Sequence, residues 1–472
     1  MQKLTILILY LMLFGCGGTP APPTAILPKT GPDSGEIWLA TYLAGMKVGY
    51  GLLKYHRTAT GFNFDYVSRL TVGMMGKKQS VNAHSRVITG PDLLLRSFEF
   101  ELGSQDGTFK AKGQVADERL LISTAEGSRT IQLTRRLYPV EVIGRLVVEA
   151  NPVPGQRLNY LTFDGAVLDT FGTEVEVLGR EMIKFGNEKL PALKLRVRRA
   201  QFDMTVWVDQ AGMTLKEESA LGMNSIRVNA EQALAGESNP TLDIMKLFAV
   251  PVDTIIPEGK QYHRAVLAIS GVDTSIFKIG SENQQLIPGA EEKEIRVEVK
   301  IPAPVAGLKL PITAEPELLK PTITIQSTAP EIVNTARAIV GNTDDAVVAT
   351  ERIISWVFTS LKKEGVASLP SALEVLKQRK GDCNEHSVLF AALARAVGIP
   401  AKVVVGLLYL QGAFYYHAWN EVYLGNWVPV DATFGEFPAG ALRLKLAEGD
   451  LSQQAKVLGV VSKIRIRVLE FE

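Results

Sequence analysis

Cysteine and histidine are scarce in this chain of 472 residues: there are two cysteines, Cys16 and Cys383, and five histidines. The histidines are scattered and no His-Glu-x-x-His segment occurs, so a zinc signature is missing. A Walker loop, a dinucleotide fingerprint and a Gly-x-Ser-x-Gly elbow are missing too. No cofactor or metal is therefore expected. Neither sign of charge dominates: 51 basic residues meet 50 acidic ones, the net charge is +1, and no basic stripe stands out. Nucleic acid is accordingly not an expected partner. No internal repeat is evident. What is present is a globular balance of 46% apolar and 21% charged residues, which argues for packed cores rather than wholesale disorder.

The first residues read as a targeting segment. Lys3 supplies positive charge and residues 4–14 form an apolar run too short for a stable membrane anchor. The run ends in Leu13-Phe14-Gly15-Cys16, which resembles the lipobox of bacterial lipoproteins. That resemblance implies cleavage before Cys16 and its lipidation, with the membrane as a partner. Residues 1–16 are then a lipoprotein signal peptide, and the Gly-, Pro- and Thr-rich residues 17–35 a tether. A lipidated Cys16 leaves Cys383 without a partner in the chain, and a leftover thiol in an oxidising compartment is a candidate reactive group.

Residues 36–236 read as an antiparallel β domain. Leu193, Leu195 and Val197 alternate, as do Phe202, Met204, Val206 and Val208. Asp209-Gln210-Ala211-Gly212 then predicts a hairpin turn. The spacing of strands and turns suggests a large sheet, a half-barrel or a sandwich. Residues 237–328 predict a small β module with a Pro-rich connector. From residue 329 the apolar period becomes helical, through Ile332, Ala336, Ile339 and Val340, and strands follow the helices in an α+β pattern.

Within residues 329–472 three side chains stand out. Asp382 and Glu385 spell a capping box that starts a helix at Cys383. Helix-start amides and the helix dipole favour negative charge there, so the thiol pKa is expected to fall, with His417 tipping the balance against Asp382 and Glu385. The same amides are candidate oxyanion donors. By strand alternation His417 and Trp419 share a face, and Asp431 joins it only if a three-residue loop, Leu424-Gly425-Asn426, pairs Tyr423 with Trp427. Such a loop ends in a left-handed residue, a conformation Asn426 tolerates. His386, one helical turn from Cys383, is expected to pack or hydrogen-bond rather than act as a base. Trp356 is expected to pack between helices, and Trp419 and Trp427 to wall the site against water.

These residues resemble the transglutaminase-like superfamily in its bacterial branch. The matching text is Gly381-Asp382-Cys383-Asn384-Glu385-His386-Ser387, then Ala394-Arg395-Ala396-Val397-Gly398-Ile399-Pro400, then His417-Ala418-Trp419-Asn420-Glu421-Val422-Tyr423 and Trp427-Val428-Pro429-Val430-Asp431-Ala432-Thr433. Ser387 and Ala432 depart from the more usual Ala and Pro. The resemblance implies a papain-like core with Cys383 as nucleophile, His417 as general base then acid, and Asp431 orienting the imidazole. It also implies acyl transfer from peptide or protein amides through a thioester, resolved by water or an amine. The expected setting is the cell envelope, on a membrane-anchored lipoprotein facing the periplasm or exterior. The competing expectation is a non-catalytic assembly or binding lipoprotein that keeps the fold for protein recognition.

Overall fold

The computed structural model describes residues 33–472 apart from 75–76, 106, 126, 186–187, 200–201, 220–221, 237–248, 258, 272–279, 288–293, 367–370, 450–456, 458–460 and 462. Cys16, the expected signal peptide at 1–16 and most of the expected tether at 17–35 lie outside the described residues. The described residues divide into two compact units, with the division along the chain at residues 243 and 244.

The N-terminal unit is one fifteen-stranded sheet. Ser34–Leu43 lies at its middle; the strands that follow run outward in sequence order to Ser128–Gln132 on one side. On the other side Met223–Val228 leads back to Leu137–Pro139, whose pairing with Arg157–Asp164 is the one parallel ladder of the sheet. The alternation read from the sequence sets the inner face: Leu193 pairs Val208, Leu195 pairs Val206 and Val197 pairs Met204, all buried. Ile143 and Val147 of the helix Ile143–Glu149 pack on this cluster. Each such side chain contributes about 1.5–3 kcal/mol when fully buried. The expected hairpin forms between Phe202–Val208 and Thr214–Ser219. Asp209 shapes its turn by accepting the Ala211 and Met213 amides, each at 2.9 Å.

In the C-terminal unit the helices Pro330–Val340, Ala346–Ser360 and Ala372–Gln378 surround Cys383–Ala396. Every residue of that last helix from Cys383 to Arg395 is buried, as expected of an element apolar on nearly all faces. A five-stranded sheet joins Val250–Pro251, Ala413–Tyr423, Ala401–Leu410 and Arg443–Glu448 in that order, with Trp427–Val430 also on Ala413–Tyr423. A second sheet orders Gln284–Ile287, Ile295–Lys300, Arg264–Ser270 and Arg465–Phe471. The small β segment expected at 237–328 is thus completed by the last strand of the chain, and it shares one compact unit with the helices.

Local chemistry fixes the helix starts. Asp345 accepts the amides of Val347 and Val348 at 2.9 and 3.1 Å. Asp345→Ala is therefore expected to destabilise this unit by about 1 kcal/mol, read as a shift of its denaturant midpoint. No shift would mean that water replaces the cap.

Candidate active site

Cys383 is the first residue of its helix, and the turn before it is tightly specified. A Cβ on Gly381 would overlap that of Glu385 at 2.2 Å, so glycine lets Glu385 fold back over the helix start. Glu385 then accepts the Asp382 amide at 2.9 Å, while Asp382 accepts the Asn384 amide at 2.8 Å. The capping box read from the sequence is complete, and it occupies two of the amides considered as oxyanion donors.

The same box reverses the expected acidity of the thiol. Burial, and next the Asp382 charge, push the Cys383 thiol well above the ordinary cysteine range, against the pull of a hydrogen bond from the Ala418 backbone. Glu385 adds to the rise. The expected fall had the helix-start amides, the dipole and His417 outweighing the two carboxyls, whereas the full burial of Cys383 adds to the effect of those carboxyls. Among the described residues Cys383 forms no disulfide.

The hydrogen bond from Ala418 sets the sulfur against the strand that carries His417. His417 Nε2 meets Asp431 Oδ2 at 2.7 Å, with both side chains buried. The register is the one that permits it: Tyr423 pairs Trp427 across Leu424-Gly425-Asn426. The left-handed residue of that loop is Gly425, at φ +82°, not Asn426 as expected. An ionised carboxylate only accepts, so His417 Nε2 carries the hydrogen and Nδ1 presents a lone pair with no protein partner. Burial lowers the His417 pKa, Asp431 opposes that, and the Arg443 charge assists it. For Asp431 burial works upward, yet His417 and Arg443 hold it well below the usual carboxylate range.

Arg443 was not singled out from the sequence. Its Nη2 donates to Asp431 Oδ2 and to Glu436, each at 2.7 Å, and its Nη1 donates to Gly440 O at 3.1 Å. Asp431 Oδ1 accepts the Thr433 amide at 3.0 Å. A second buried network joins Lys445 to Glu421 at 2.9 Å and Lys402 to Glu448 at 2.9 Å. Arg443-Leu444-Lys445-Leu446 alternates like a strand with one wet face, so nothing local marked these cations as buried.

The two tryptophans part company. Trp419 lies nearly parallel to His417, with centroids 6.3 Å apart, and Phe434 lies 5.4 Å from the imidazole. A Cβ on Gly406 would come within 2.9 Å of the Trp419 ring, so glycine makes its seat. Trp427 instead packs edge-on against Tyr423 and under Lys402, with no hydrogen bond or ring contact to Cys383, His417 or Asp431. Trp356 packs in the helical core beneath Arg379.

His386 is fully buried. Its Nδ1 lies 2.6 Å from the Asp382 carbonyl, and burial lowers its pKa to about 4. A histidine so depressed makes the unfolded chain bind more protons between its ordinary value and the folded one. Stability contributed by neutral His386 is thus present above about pH 6.5 and is lost as pH falls toward 4, by about 3 kcal/mol in all. Urea unfolding of wild type against His386→Asn at pH 7 and 5 should show a difference that shrinks on acidification. A constant difference would contradict it.

The site is closed yet rich in polar atoms. Cys383, His417 and Asp431 are 0%, 1% and 0% exposed. On the same helix start, strand and following turn, Asn384 Oδ1, His386 Nε2, His417 Nδ1, Asn420 Oδ1 and Thr433 Oγ1 are buried without a protein partner among the described residues. A hydrocarbon core would not gather such atoms.

Residues 333–432 match the family model of the transglutaminase-like superfamily, a span that runs from the first helix through Asp431. The helix-containing C-terminal unit is thus the part of the chain that carries the transglutaminase-like match. Among solved structures, a "putative cysteine protease" from Cytophaga hutchinsonii is 18% identical, with 45% of this chain and 85% of that one covered and a TM-score of 0.30. A β-barrel-like protein of a domain of unknown function from Brucella abortus is 12% identical, over 41% of this chain and 96% of its own, at a TM-score of 0.33. A "putative protease" from Parabacteroides distasonis is 9% identical, over 74% and 68%, at 0.19. These scores are too low to support an argument. No curated protein matches the chain.

Proposed function

We propose that the C-terminal unit transfers acyl groups from peptide or protein amides through a thioester on Cys383, in a papain-like arrangement. The observation that supports this reading is the buried His417–Asp431 hydrogen bond at 2.7 Å, on the strand whose Ala418 backbone hydrogen-bonds the Cys383 sulfur. His417 Nδ1 takes the thiol proton as sulfur attacks the carbonyl carbon; the imidazolium returns it to the leaving amine as the C–N bond breaks. Water then gives a carboxylic acid, and an amine a new amide. A neutral thiol at rest means that deprotonation accompanies attack rather than preceding it.

In this reading Cys16 carries lipid, and the chain works on envelope peptides or proteins from a membrane-anchored position facing the periplasm or exterior. Labelled fatty acid entering wild type but not Cys16→Ser would support the anchor; equal labelling would remove it.

A second reading has one observation behind it. The closed site suits a lipoprotein that recognises proteins without catalysis. Mass spectrometry of envelope extracts treated with wild type or Cys383→Ala separates the two. New termini or new isopeptide bonds lost in the variant support catalysis; identical maps support recognition.

A further inference from the structure

The acyl-transfer reading leaves open what resolves the thioester, and a buried imidazole that it does not use bears on that point. His386 lies one helical turn from Cys383 and interacts electrostatically with Asp431, Lys363 and His417. Its main-chain amide and its Nδ1 both reach the Asp382 carbonyl, at 2.9 and 2.6 Å. A carbonyl oxygen only accepts, so the hydrogen sits on Nδ1 and Nε2 holds a lone pair. That Nε2 is buried without a protein partner. Behind His386 stands a neutral carbonyl; behind His417 stands a carboxylate. Only His417 is built to become an imidazolium, and His386 is built to remain an acceptor.

We propose that His386 Nε2 accepts a hydrogen bond from the water that hydrolyses the Cys383 acyl-enzyme, which makes this site a hydrolase rather than a cross-linking enzyme; the proposal rests on the acyl-transfer reading. The water oxygen bonds to the thioester carbonyl carbon and the C–S bond breaks. One water proton passes through His417 Nδ1 to the sulfur. The other, held toward His386 Nε2, remains on the carboxylic acid product. Lys363 argues for water over an amine. Its side chain is exposed, with the ammonium 4.1 Å from the Phe358 ring centroid and no carboxylate within ion-pair distance among the described residues, so its charge reaches Asp431 and His386 from the solvent side, where an incoming amine would approach. An incoming alkylammonium would meet that charge; water would not.

The test is single-turnover kinetics on the full chain. An activated p-nitrophenyl ester of an N-acetyl amino acid loads Cys383, rapid gel filtration isolates the acyl-enzyme, and intact-mass spectrometry follows its formation and decay. His386→Asn keeps an amide donor for the Asp382 carbonyl and removes Nε2; circular dichroism checks its fold. It is expected to slow decay about tenfold to a hundredfold while formation changes by no more than about threefold. His386→Gln, which places an amide oxygen near the Nε2 position, is expected to recover part of the decay rate. Equal slowing of both steps in His386→Asn, or no slowing of decay, would overturn the proposal. Should His386→Asn fail to fold, Lys363→Ala is read by the product ratio with a diamine present: a several-fold rise in amide product supports the assignment, and an unchanged ratio overturns it. A wild-type chain that forms no acyl-enzyme sinks the acyl-transfer reading itself, which is a different outcome.

Discussion

Cys383→Ala is expected to remove acyl transfer completely, with a loss in kcat of at least about 10⁴-fold. The only other cysteine in the sequence is Cys16. The fold should survive, because the helix start is held by Asp382 and Glu385 rather than by the sulfur. The small side chain lost from a packed site would lower stability by only about 1 kcal/mol. His417→Ala is expected to cost a similar factor, and the double variant no more than either single one, because nucleophile and base act as one device. Full additivity of the two losses would show that the residues act separately.

Arg443→Met is expected to have the largest effect on stability. The guanidinium bridges Asp431 and Glu436, and its removal leaves the buried Asp431 charge facing only neutral donors such as His417 Nε2–H and the Thr433 amide. Breaking a buried pair in this way costs about 3–5 kcal/mol, read as a fall in the denaturant midpoint. The pH dependence should move as well. Arg443 depresses the His417 pKa, so without it the imidazole protonates more readily and the acid limb of kcat/KM moves to higher pH. Arg443→Lys keeps the charge but not the forked geometry, and should fall between the two. A variant as stable as wild type, with an unmoved acid limb, would place Arg443 outside the working site.

What the sequence revealed about this site was local. The capping box, the buried helix apolar on nearly every face and the three-residue hairpin follow from residues within a few positions of each other, and the structure has each of them. The loop shows where local reasoning slips: glycine adopts the left-handed conformation more easily than asparagine, and Gly425 takes it. What was not legible depends on distant partners. Arg443 is buried because Asp431 and Glu436 face it, and an alternating Arg-Leu-Lys-Leu segment gives no hint of those carboxylates. The thiol acidity was misjudged for the same reason: the sequence places two acids beside Cys383, but only the packed helix shows how completely water is excluded. In the N-terminal unit, alternation identified the strands without distinguishing a sandwich from the single continuous sheet, because both bury one face of each strand. The closing of the second sheet by Arg465–Phe471 is a pairing across most of the C-terminal unit, beyond the reach of any window of sequence.

The most direct test of the central claim, a sulfur activated by the imidazole beside it, is intact-mass spectrometry of the full chain quenched in acid after brief exposure to an activated ester. The expected result is one acyl group per chain, mapped to Cys383 by peptide digestion and nearly absent in His417→Ala. No adduct on Cys383, or one that forms equally fast without His417, would contradict it.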